Sequence, residues 1–264
     1  MSDLSDLKCV CCGEPIERMR YFPRQLLTAD DMRVEQEYFR EKARRHNRYL
    51  HGWGVVCGCD VQAMPAAKSP QVRVCPGYVV GPQGDEIWID RCIEIDLKTG
   101  AADQPCSVPC PCPPLGEVPK VVDERATVYV AVRYAECLSR PVRVHPAGCG
   151  CDETGCEYSR VRDSYEVKVL WQLPDSHLKA RKQDALWCAA VHDNTAELLR
   201  RTHQLPVPDC PDCDSDPWVV LATVAFSTST KPEVLANSPM LIGFDDRRVL
   251  LPTQRLQVAM LCLP

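Results

Sequence analysis

Hydrophobic and polar positions divide this chain into one long helical stretch, a succession of short alternating segments, and several stretches with no period. Residues 1–20 form a cysteine-bearing lead-in with little periodicity. Thr28-Ala29-Asp30-Asp31 then has the form of a capping box, with Asp31 in the third helical position where Glu or Gln is more usual. Asp30 and Asp31 suit the positive end of a helix dipole, and Arg44, Arg45, His46 and Arg48 suit the negative end. The predicted helix covers residues near 29–51, about 33 Å at 1.5 Å per residue. Gly52 is placed to stop it in a left-handed conformation. Met32, Phe39, Ala43 and Leu50 fall near one stripe, with Arg33, Glu37, Arg40 and Glu41 on the others. Such a stripe packs on the protein's own core, or also on a neighbouring subunit.

Strand patterns follow. Gly54-Val55-Val56 and Val72-Arg73-Val74 read as strands, and Gly77–Val80 and Glu86–Ile89 flank Gly81-Pro82-Gln83-Gly84 as a hairpin. The alternation of residues 93–97 predicts a half-buried strand, and Thr127–Val132 a central strand apolar on both faces. Residues 165–170 alternate again, and 218–226 and 240–242 read as further strands. A second helix is predicted near 175–201, with Leu178, Ala185, Cys188 and Leu199 among its apolar positions. The segments 98–120, 145–157 and 207–217 are rich in Pro, Cys or Asp and predict irregular loops. The expected architecture is α+β: a β-sandwich-like core with two inserted helices and Pro/Cys-rich loops. Residues 21–250 form one β-rich domain in this reading, and 251–264 form a C-terminal tail.

Charge narrows the partners. A net charge of −5 over 264 residues lacks the basic excess of a nucleic-acid surface. No apolar run approaches the roughly 20 residues that cross a bilayer, so no membrane insertion is expected. The opening MSDLSDLKCV lacks the basic and apolar blocks of a Sec signal, which makes the cytoplasm the expected compartment.

Eighteen cysteines leave three fates open: structural metal, disulfides, or reduced thiols. Cys75, Cys92, Cys137, Cys188 and Cys262 stand alone in strand-like or helix-like contexts and are expected to be small core residues. The others cluster in turns, where close pairs can supply two ligands at once to tetrahedral zinc. The candidate ligands are Cys149, Cys151 and Cys156 in one loop, beside His145, and the CxxC pair Cys210 and Cys213. Structural zinc is thus the one cofactor the sequence suggests, without the double CxxC spacing of a strong zinc motif.

Motifs for catalysis are missing. The sequence has no His-Glu-x-x-His, P-loop or nucleophile elbow. His192-Asp193 are adjacent on a predicted helix and point about 100° apart, a poor dyad. His51 stands at a helix end, where it caps or packs, and Asp85 and Glu86 at a hairpin tip are expected to be solvated. No enzymatic activity is expected; a zinc-dependent enzyme or zinc-stabilised ligand-binding module is the alternative.

The stretch YFPRQLLTADDMRVEQEYFREKARRHNRYLHGWGVVCGCDV resembles a family encoded with phage-tail-like contractile injection systems. Its pattern runs through Tyr21 to Thr28, Glu35 to Tyr38 and His46 to Val56, and similarity continues in GYVVGPQGDEIWID, TVYVAVRYAE, CEYSRVRDSYEVKVL and DPWVVLATV. The cysteine loops fit least well. The first forty residues of that span are also faintly similar to the trimeric baseplate adaptor of type VI secretion. Arg24 departs from the pattern, which has glycine there, and bears on the local turn. The resemblance implies a structural assembly component of the particle, in the baseplate or a baseplate-associated shell or adaptor. Its partners would be other baseplate, tube or sheath proteins and copies of itself, in a cytoplasmic particle that can be released from the cell. Arg40, Arg44, Arg48 and Trp53 are the expected contact residues.

Overall fold

A computed structural model describes residues 15–64, 69–106, 125–144, 155–192, 216–228 and 239–256. The architecture among them is α+β, with a sheet-rich core and two helices. Helix α1 (Ala29–His46) precedes six short strands: β1 (Gly54–Gly58), β2 (Val61–Ala63), β3 (Gln71–Val74), β4 (Gly77–Val80), β5 (Glu86–Ile89) and β6 (Ile93–Asp96). Two long strands follow, β7 (Arg125–Val144) and β8 (Gly155–Leu170), then α2 (Asp175–His192), β9 (Val219–Ser227) and β10 (Leu241–Gly243). They form three antiparallel sheets ordered β1-β4-β5, β2-β3-β6 and β10-β9-β7-β8.

Alternation of side chains explains the core. Ile87 and Ile89 of β5, and Ile93 and Ile95 of β6, point inward while their neighbours point out. They join Val72, Val74 and Val79 with Val128, Val130, Val132, Val167, Leu221 and Val224 in one apolar cluster that draws on all three sheets. Each such side chain contributes about 1.5–3 kcal/mol on burial. The expected two-faced apolar strand is also present. Ala131 and Val220 turn to the opposite face and lie under Trp218, whose ring is covered by the Arg133 guanidinium at 4.8 Å.

Several sequence expectations change. β7 pairs with β9 only as far as Val132, and β7 and β8 then continue as a two-stranded ribbon to the Val144–Gly155 pair. This ribbon takes in residues expected in the 145–157 loop. The first helix begins where expected: Thr28 N–H donates to Asp31 Oδ2 at 2.8 Å, and Asp31 N–H donates to Thr28 Oγ1 at 3.2 Å. It ends differently. One π turn over Asn47–His51 closes with Gly52 N–H bonded to the Asn47 carbonyl at 2.9 Å. Gly52 itself takes φ 81 and ψ −154, an extended conformation open essentially to glycine rather than a left-handed helical cap. Along α2, Leu178, Ala185 and Cys188 are exposed, because the helix is held through its first turn by buried Ser176, His177 and Ala180. Leu199 and the helix expected over 193–201 lie outside the described residues.

The isolated cysteines are not the uniform core set expected. Cys137 is buried and forms a disulfide with Cys106, which ties the chain at Cys106 to the β7–β8 ribbon. Cys92 and Cys188 are exposed and Cys75 is half-buried, since each falls at the end of a strand or on an uncovered helix face. Cys262 lies outside the described residues. Among the described residues Cys59, from a cluster, is instead a fully buried thiol, and burial pushes its pKa up to about 12.

Candidate docking surface

Helix α1 is turned inside out relative to ordinary amphipathic packing. Residues 37, 40, 41, 44, 47 and 48 recur at helical spacing and face the body. All of them are polar or charged. Met32, Val34, Phe39 and Ala43 are exposed on other faces, and Leu50 of the π turn is 70% exposed. The apolar stripe expected against the core is therefore uncovered.

The charged face is seated by specific partners. Glu41 and Asp85 are only 6% and 8% exposed, and Arg44 bridges them, with Nη1 2.8 Å from Glu41 and Nε 2.6 Å from Asp85. Burial works against the Arg44 charge, but the two carboxylates outweigh it and raise its pKa. Asp85 shares that guanidinium with Glu41, so burial prevails there and its pKa rises despite Arg44 and Arg40. Asp85 is thus not the solvated tip residue the hairpin pattern suggested. The tip meets the helix backbone directly. A Cβ at Gly84 would lie 2.1 Å from the Arg44 carbonyl oxygen, and Gly84 has φ 90. Asn47 Nδ2 donates to the Gly84 carbonyl at 3.0 Å. Arg40 adds ion pairs to Glu37 and to Glu136 on β7.

The four expected contact residues consequently have partners within the chain. Arg40 and Arg44 are in the ion pairs just described, and Arg48 is buried with its guanidinium 4.6 Å from the Tyr49 ring centre. Trp53 packs on the core, its ring 4.8 Å from that of His177 and 5.0 Å from the Arg248 guanidinium. His177 was not singled out by any sequence pattern. Val220 N–H donates to its Nε2 at 3.1 Å, and burial, followed by the nearby Arg248 and Arg181 charges, lowers its pKa to about 4. His51 lies on the π turn, its Nε2 3.2 Å from that of His46.

The uncovered surface continues into the segment before α1. Tyr21, Phe22 and Leu27 are exposed and Leu26 is 86% so. Arg24 adopts φ 68, the left-handed region that favours glycine. Between this segment and α1 runs an open groove of about 490 Å³, lined by Arg18, Tyr21, Glu35, Tyr38, Phe39 and Lys42. Phe39, 60% exposed, meets Tyr38 edge to face at 5.4 Å. The β7–β8 ribbon adds exposed Val142, Tyr158 and Val161.

The zinc candidates fall largely elsewhere. Cys149, Cys151, Cys210 and Cys213 lie outside the described residues, and Cys156 is described only as the backbone partner of Arg143 in the ribbon. Among the described residues no group of three or more His, Cys, Asp or Glu side chains could hold a metal ion. No helix among them is long and apolar enough to cross a membrane. No family model matches this chain, and no curated protein matches it.

Proposed function

We propose that this protein is a structural assembly component of a phage-tail-like contractile injection particle, acting in the baseplate or as a baseplate-associated adaptor. The observation that carries the reading is the inverted helix: its charged face is consumed by the body and its apolar face is free. Contiguous apolar surface left open on a folded protein marks an interaction site. Tyr21, Phe22, Leu26, Leu27 and Leu50 of this surface also belong to the pattern that resembles the injection-system family, whereas Met32 and Phe39 lie between its matched positions. Arg24 lends support, since its φ of 68 falls where the family pattern has glycine.

The docking residues in this reading are Leu26, Met32, Phe39 and Leu50, not the arginines. Their partner is another baseplate, tube or sheath protein of the particle. Leu26→Glu combined with Phe39→Glu should abolish co-purification with the particle while leaving the circular dichroism and unfolding midpoint of the isolated chain within error. Doubly substituted protein that enters particles at the wild-type ratio would refute the assignment of this face.

A further inference from the structure

We infer that Cys75 and Cys92 form a cross-strand dithiol that closes to a disulfide, a redox modification site on the exposed face of the β2-β3-β6 sheet. Val74 of β3 pairs with Ile93 of β6, and one further step places Cys75 opposite Cys92.

The hydrogen-bond pattern fixes which kind of pair this is. Leu97 N–H donates to the Pro70 carbonyl at 3.0 Å, so bonded pairs between β3 and β6 fall in step with 70/97, at 72/95 and 74/93. The 73/94 and 75/92 pairs lie between them. Cys75 agrees independently, because its N–H points the other way, to the Asp60 carbonyl at 2.8 Å beside β2. Non-hydrogen-bonded partners have Cα atoms about 4.5 Å apart, inside the roughly 4.4–6.8 Å span that a disulfide bridges.

Side-chain direction agrees as well. Arg73 and Cys75 share one face by the two-residue period, as do Glu94 and Cys92. Arg73 Nη2 meets Glu94 Oε1 at 2.7 Å on that face, so side chains of such pairs reach across. Cys92 is exposed and Cys75 half-buried. Nearby Cys59 is fully buried, which excludes it from exchange, and exposed Cys57 belongs to the neighbouring sheet. Among the described residues a cystine is already present, Cys106–Cys137.

The oxidant is a small-molecule disulfide, glutathione disulfide being the simplest. The Cys92 thiolate attacks one of its sulfurs, forming a mixed disulfide as the first glutathione leaves and takes up the proton. Cys75 then attacks the Cys92 sulfur, its proton passing to the second departing glutathione. Two protein thiols are oxidised to one cystine, and one small disulfide is reduced to two thiols.

The full-length protein is incubated with glutathione disulfide, quenched with iodoacetamide, digested without reductant and mapped by mass spectrometry. The expected product is a Cys75–Cys92 linked peptide that dithiothreitol reverses, with no lasting glutathione adduct on either of these two residues. Cys75→Ser should arrest the reaction as an adduct on Cys92, and Cys92→Ser should lose the linked product. The inference is overturned if a wild-type adduct persists on Cys92, or if Cys92 instead links to Cys57 or to a cysteine outside the described residues. It also fails if both thiols resist alkylation until a chelator is added, since a metal would then hold them. The wild-type map alone decides between these outcomes, whether or not either variant folds.

Discussion

Acidification should unseat His177 at a predictable pH. This residue begins α2, packs edge to face on Trp53, and accepts the Val220 N–H at Nε2. A proton added to Nε2 would set two N–H groups against each other in a buried site also near Arg248 and Arg181. The folded pKa of about 4 lies below the ordinary 6.5. The unfolded chain therefore takes up a proton first as pH falls. Stability attributable to His177 is intact above pH 6.5 and declines through the interval down to about 4. At 1.36 kcal/mol per pH unit this amounts to about 3 kcal/mol, a large part of the 5–15 kcal/mol typical of a domain. Urea unfolding at several values between pH 7 and pH 4, followed by tryptophan fluorescence, measures it. Carboxylates titrate over the lower part of that interval, so His177→Gln supplies the reference. The wild type should lose about 3 kcal/mol more than the variant over the interval. Parallel pH profiles for the two proteins would refute the claim that this histidine is held neutral.

Three further perturbations test the frame around the docking surface. Cys106→Ser with Cys137→Ser opens a link of sequence separation 31, which the chain-entropy relation values at about 3.7 kcal/mol; an unchanged midpoint under non-reducing denaturation would show the link is dispensable. Arg44→Met leaves Glu41 and Asp85 buried without their shared cation, and should lower stability by about 3–5 kcal/mol at neutral pH in chemical denaturation. A loss below about 1 kcal/mol would mean the seat is hydrated rather than closed. Gly84→Ala drives a methyl into the Arg44 carbonyl and should lift the helix off the hairpin, read as faster amide exchange over 40–47. Exchange unchanged from wild type would contradict that close approach.

Much of the fold was legible because strands and caps leave local signatures. The alternation at Glu86–Ile89 and Ile93–Asp96 placed two strands and identified their inward faces. Thr28 and Asp31 located the start of α1 through bonds spanning three residues. The direction in which α1 faces was not legible. Periodicity reveals a stripe but not which side meets the body, and that choice depends on Asp85 and Glu136, which lie 41 and 96 residues from their arginine partners. The proposed docking surface was thus visible as a segment, whereas the direction of its side chains was not: the arginines turn inward and the apolar residues outward. Histidine 177 had no signature, since its depressed pKa arises from burial and from Arg248 and Arg181 rather than from a neighbour in sequence. The long ribbon was missed where Cys, Arg and Asp replace the β-branched residues that announce a strand. Backbone pairing between β7 and β8 holds it regardless.

The inverted helix also bears on how the isolated protein behaves. A helix held by hydrocarbon must expose that hydrocarbon to leave its seat, whereas α1 would release charges that water receives readily. Lifting α1 would cost the geometry of Glu41, Arg44 and Asp85 without baring the sheet core beneath. The same arrangement leaves the greasy side outward, so the isolated chain carries a self-association hazard. The isolated protein at high concentration should therefore end in clumping, not in a pool of ready monomers.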